Sequence, residues 1–129
     1  MEVVEEFIKG NMDDLIKECA HLCKDVSDVY GTLTLQEGVV YEGCESCIIS
    51  TALDHLNLPS ITIRTLSGEL IEFTKVNDYV FEVTNSSVTI HTVNSLKDYL
   101  SDLVEFGIID DESLKIISRW LIGEGNPSK

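Results

Sequence analysis

The chain has 129 residues, the size of one domain with one core. Twenty-three carboxylates stand against nine Lys and Arg, a net charge of −14, which repels phosphate backbones and anionic lipid and excludes nucleic acid and membrane surfaces from the expected partners. No apolar run approaches the roughly 20 residues a bilayer crossing needs, and the start Met1-Glu2-Val3-Val4-Glu5-Glu6 is acidic where a secretory leader is basic, so the expected compartment is the cytoplasm.

A composition of 43% apolar and 25% charged residues is globular. It predicts a single domain over residues 1–123, with a frayed, Gly-Asn-Pro-Ser-bearing tail over 124–129.

Asn11 is placed to cap a helix in which Met12, Leu15, Ile16, Cys19, Leu22, Cys23 and Val26 recur at three and four residues. Val29–Leu35 and Val39–Glu42 are β-rich runs joined by Gln36-Glu37-Gly38, which predicts a hairpin. Glu45–Leu56 carries Ile48, Ile49, Ala52, Leu53 and Leu56 on one helical stripe and must stop before Pro59. Two hairpins follow, Ile61–Leu66 with Leu70–Val76 around Ser67-Gly68, and Tyr79–Thr84 with Val88–Thr92 around Asn85-Ser86-Ser87. The inward alternation of Ile61 and Ile63 predicts that one sheet face is wet.

Ser95 with Asp98 three residues on resembles a capping box for a helix ending near Phe106-Gly107. Asp110-Asp111-Glu112 places carboxylates at the positive end of a last helix, Ser113–Ile122, closed by Gly123. The predicted class is therefore α+β, a mostly antiparallel sheet with helices packed on one face, in the order α-ββ-α-ββ-ββ-α-α.

Cys19-Ala-His-Leu-Cys23 and Cys44-Glu-Ser-Cys47 are separated by 20 residues. If the first helix packs beside the start of the second, Cys19, Cys23, Cys44 and Cys47 converge on one tetrahedral zinc or an iron–sulfur cluster. Against this, the first pair has three intervening residues and lies on a buried helical stripe that offers no tight turn. In a reducing compartment the four are expected to be thiols sooner than disulfides. Cys44 and Cys47 sit where a helix dipole favours a redox thiolate, but Glu42 and Glu45 oppose that charge, so packing is the prevailing expectation for all four.

His21, His55 and His91 lack metal-like spacing and are expected at surfaces or interfaces. The paired carboxylates are explained by solvation and helix starts. Gly-x-Ser-x-Gly and phosphate-loop patterns are absent. Catalytic and cofactor-binding residues are therefore expected to be none. Trp120, Tyr99 and Phe106 are candidate contact residues, set against the commoner core role.

The succession of a helix, the strand Tyr30-Gly31-Thr32-Leu33-Thr34-Leu35, the Glu37-Gly38 turn, the strand Val39-Val40-Tyr41, a helix, further strands and a helix resembles the roadblock-type dynein light chain family. That resemblance implies a non-enzymatic α/β homodimer, a scaffold or a regulator of small GTPases, paired through a sheet edge and its first two helices. Strand Val88–Thr92 and helix Ser113–Ile122 are additions to that pattern, and the cysteines are foreign to it. The expected function is a cytosolic protein-interaction module with a basic protein or a small GTPase as partner. A metal-binding or redox-sensing module built on the four cysteines is the competing reading.

Overall fold

The computed structural model describes residues 1–24 and 33–123. Helix α1 (Glu2–Gly10) and helix α2 (Met12–Glu18) are followed by strand β1 (Val40–Glu42), helix α3 (Cys44–Leu56), strands β2 (Ser60–Arg64), β3 (Leu70–Val76), β4 (Tyr79–Val83) and β5 (Ser87–Thr92), and helices α4 (Val93–Glu105) and α5 (Asp111–Leu121). The class is α+β, as the alternation of patterns predicts.

The sheet runs β1-β5-β4-β3-β2, with every neighbouring pair antiparallel. Its registers put Tyr41, Val76, Phe81, Val83, Val88 and Ile90 on one face, in one core with Val4, Ile8, Leu15, Ile48 and Ile49 from α1, α2 and α3. Ile63, Ile71, Phe73 and Val80 project to the other face, in a second core with Leu96, Leu100, Ile117 and Trp120 from α4 and α5. The helices thus divide between the two faces, which corrects the expectation of a one-sided sheet. The physical cause is visible in β4, where Val80, Phe81, Glu82 and Val83 are consecutively buried. A strand covered on both sides loses the alternation that a half-wet strand shows.

The two helical layers are offset. Helix α3 packs against β1 and β5, whereas α5 reaches β2. Each face therefore has an uncovered part: Leu70 on the first and Val40 on the second are both 53% exposed.

Helix α1 was not expected, because its acidic sequence reads as a terminus; its signal is the four-residue spacing of Val4 and Ile8, both buried. Asn11 does begin α2, but its side chain donates backward from Nδ2 to the carbonyl of Phe7 at 2.8 Å and caps nothing ahead of it. Helix α2 stops eight residues short of Val26, without glycine or proline to mark the stop. The N–H groups of Leu22 and Cys23 both turn back to the carbonyl of Cys19, at 2.9 and 2.8 Å.

Of the expected first hairpin, Val29–Thr32 lie outside the described residues, and Leu33–Leu35 form no strand. The turn at Gly38 is present with φ of 83°, but β1 pairs with β5. The expected tail, 124–129, also lies outside the described residues. The cap of helix α4 lies three residues before the expected one: Thr92 accepts from the Ser95 N–H at 3.1 Å, and Ser95 Oγ accepts from the Thr92 N–H at 3.1 Å. Serine at the third position thus does what Glu or Gln does in the usual capping box.

Candidate cysteine site and adjoining groove

Gly43, at φ of 64°, makes the sharp entry into α3, so that Cys44 and Cys47 fall on its first turn, three residues apart and facing the same way. The turn that ends α2 presents Cys19 and Cys23 opposite them. Cys19 is joined to Cys47, with Cα atoms 6.0 Å apart, and Cys23 to Cys44, with Cα atoms 4.7 Å apart. The four sequence-predicted site residues do come together, in a nested pair of disulfides.

This corrects one expectation. The cysteines are paired, not free thiols; the shortness of α2 lets both members of the first pair reach the first turn of α3. Cys44 and Cys47 do not pair with each other, so the site lacks the dithiol chemistry of a self-bonded Cys-x-x-Cys motif. With the sulfurs bonded as cystine, no group of three or more metal-ligating side chains is assembled among the described residues. A disulfide sulfur has no thiolate charge to offer a cation.

Burial is graded across the site. Cys19 and Cys23 are buried in the first core, while Cys44 and Cys47 are half-buried at its margin. The Thr51 hydroxyl, one turn along α3, lies 3.6 Å from Cys19 Sγ and 3.9 Å from Cys47 Sγ. Cys23 Sγ lies 3.8 Å from the carbonyl of Cys44.

Cys47 also opens onto a groove of about 390 Å³ over the uncovered part of the sheet. It is lined by His21 and Leu22 from the turn between the first two cysteines, by Ser50 and Thr51 of α3, and by Thr62, Leu70 and Glu72 of β2 and β3. Among the described residues, no hydrogen bond joins His21 to a groove hydroxyl, so no nucleophile–base pair is assembled there.

The remaining candidates separate. His55 is an exposed partner of Glu18 at 3.0 Å and stacks with Phe7. His91, expected at a surface or an interface, is buried within the chain, with Nε2 2.9 Å from Glu82 Oε1. Tyr99 donates to Glu82 Oε2 at 2.8 Å and stacks on His91 with centroids 4.7 Å apart. Burial, and then the Glu82 charge, push the Tyr99 hydroxyl well above the usual tyrosine range. Trp120 is core, whereas Phe106 is 74% exposed.

Sequence reasoning missed the Glu82–His91–Tyr99 cluster. Its signal was Glu82 interrupting the apolar strand Tyr79–Val83, since a carboxylate inside a buried strand requires a polar partner.

No protein-family model, no curated protein and no solved structure matches the chain.

Proposed function

We propose that the chain is a non-enzymatic protein-interaction module that forms a homodimer by adding the β2 strands of two copies edge to edge. The observation that carries this reading is the outer rim of β2. Lys75 N–H donates to the Pro59 carbonyl and Thr65 N–H to the Glu69 carbonyl, at 2.9 and 2.7 Å. In an antiparallel ladder such pairs alternate, so Ile61 and Ile63 also bond to β3, while Ser60, Thr62 and Arg64 direct their backbone groups outward. Among the described residues no strand covers that rim, and an uncovered rim is a template for another strand.

The resemblance to the roadblock-type family belongs to this proposal, since it implies pairing through a sheet edge. A basic protein as further partner is supported by the charge of −14, and a small GTPase is the partner that the resemblance implies. No helix among the described residues is long and apolar enough to cross a membrane. The two cystines favour an oxidising compartment, and the expected cytoplasmic placement requires that these cysteines be held reduced.

The test is native mass spectrometry and light scattering of the wild type and Thr62→Pro. Proline at position 62 removes only an outward N–H and leaves the ladder to β3 intact. A wild-type dimer that Thr62→Pro turns into a folded monomer supports the proposal. A wild type that stays monomeric at high concentration, or a dimer indifferent to the substitution, overturns it.

A further inference from the structure

We infer that reduction of the two cystines converts Cys19, Cys23, Cys44 and Cys47 into a tetrathiolate site for a single zinc ion. The inference is independent of the β2 interface, because the dimer test leaves every cysteine in place.

The turn geometry removes the objection that the spacing of the first pair raises. Cys19 and Cys23 do not lie along a continuous helix: α2 ends at Glu18, and the chain folds back through the Cys23 N–H to Cys19 carbonyl bond of 2.8 Å. They form a knuckle whose two side chains reach the same turn of α3. Cys44 and Cys47 supply the second half from one helical face. Cross-pair Cα separations of 6.0 and 4.7 Å already bring both members of each pair within reach of an ion whose zinc–sulfur bonds are about 2.3 Å. On reduction each bonded sulfur pair must move apart to make room for the ion, a movement that cysteine side-chain rotation can supply.

The surroundings suit a closed tetrahedral site. Cys19 and Cys23 are 0% and 5% exposed, which closes the inner half of the site to water, while Cys44 and Cys47 stand half-buried at its outer edge; four sulfur ligands select a thiophilic d¹⁰ cation. Thr51 supplies the outer shell: its hydroxyl, within 4 Å of both Cys19 Sγ and Cys47 Sγ, can donate to either thiolate and orient it. The first turn of α3 turns its amide dipoles toward Cys44 and Cys47. Glu45, in that same turn, opposes a cluster of four bare thiolates, so a divalent cation is the charge that makes the reduced cluster favourable.

Two dithiol reductants each transfer two electrons and two protons, breaking the Cys19–Cys47 and Cys23–Cys44 bonds and forming four thiols; the reductants leave as disulfides. Zinc binding then displaces four protons. A disulfide oxidant reverses the change: two sulfur–sulfur bonds form, four electrons pass to two oxidant disulfides, which take up four protons from solvent and leave as four thiols, and the zinc ion is released.

The experiment uses the full chain, reduced with a phosphine that is then removed, and titrated anaerobically with Co(II) followed by Zn(II). The expected result is one cobalt per chain with intense thiolate-to-metal charge-transfer bands and tetrahedral d–d bands, displaced by one zinc. The zinc form should show four thiols masked from alkylation, and a disulfide oxidant should release the zinc. Cys47→Ser should weaken binding by more than about a hundredfold, beyond the cost of an outer-shell change, and Thr51→Val, which keeps all four sulfurs, by about ten- to a hundredfold. A reduced metal-free chain that is unfolded and refolds on zinc addition also supports the inference. Absence of stoichiometric cobalt or zinc binding, assembly of iron and sulfide in preference to zinc, or full affinity in Cys47→Ser overturns it.

Discussion

Tyr99 on α4 donates a 2.8 Å hydrogen bond to the carboxylate of Glu82 on β4, a polar tie between the sheet and the helical layer covering its second face. Glu82 also meets His91 Nε2 at 2.9 Å, and no buried side-chain polar atom among the described residues lacks a partner. Tyr99→Phe removes one hydrogen bond to a charged group and should cost about 1.5–3 kcal/mol. Glu82→Ala, which strands both partners, should cost more. Urea unfolding measures both, and a cost for Tyr99→Phe below a few tenths of a kcal/mol would show that the bond contributes nothing.

The same contact sets an alkaline limit. The Tyr99 hydroxyl is held above its ordinary value of 10.0 by burial and by Glu82, so the fold favours the neutral phenol. That contribution is fully present below pH 10.0 and is lost as pH rises through the raised folded value. Stability measured from pH 9 upward should therefore fall, with a shallower slope in Tyr99→Phe. Some slope should persist, because burial also raises Tyr41. Equal slopes in both proteins would place the alkaline sensitivity elsewhere.

Thr92 closes β5 and opens α4 through reciprocal bonds with Ser95. Thr92→Ala should cost about 0.5–2 kcal/mol. Thr92→Ser keeps the accepting oxygen and should recover most of that loss in thermal unfolding, whereas an equal loss in both would assign the effect to the methyl group.

The disulfides tie the turn after α2 to α3 across 28 and 21 residues. Replacing Cys19 and Cys47 together by Ser should lower the oxidised protein's stability by about 2–4 kcal/mol. Removing Cys23 and Cys44 as well should add less, because their loop is nested within the first and constrains much of the same chain. Denaturant unfolding of the two double variants and the quadruple variant tests this; additive losses would contradict the nested-loop account.

Asp110 caps α5 by accepting from the Ser113 N–H at 2.8 Å, and that bond, with the Ser113 hydroxyl, holds its carboxyl below the usual range. Its contribution is present above the ordinary carboxylate range and is lost as pH falls through the lowered folded value. Asp110→Asn, which still accepts that bond, should flatten the acid limb of a thermal-unfolding profile while retaining the helix near neutral pH. An unchanged acid limb would show that Asp110 does not contribute to it.

Local chemistry determined by itself the α+β class, α3 with its stop before Pro59, strands β2 to β5 with the Gly68 turn, and the last two helices. These elements declare themselves through side-chain period and through turn residues that few other conformations accept. The four cysteines were also legible as one candidate site, since their grouping is a property of spacing.

Only the tertiary structure decided that the helices divide between two faces, because the strands buried on both sides carry no period to read. It decided that β1 pairs with β5, a choice among rims of similar chemistry made by how α3 packs. The end of α2 at Glu18 likewise has no local stop signal: the fold-back at Cys19 and Cys23 is stabilised by bonding to α3, 21 to 28 residues onward. The Glu82–His91–Tyr99 cluster depends on the same kind of distant agreement, since a carboxylate inside an apolar strand is tolerable only where two other elements bring it hydrogen-bond donors.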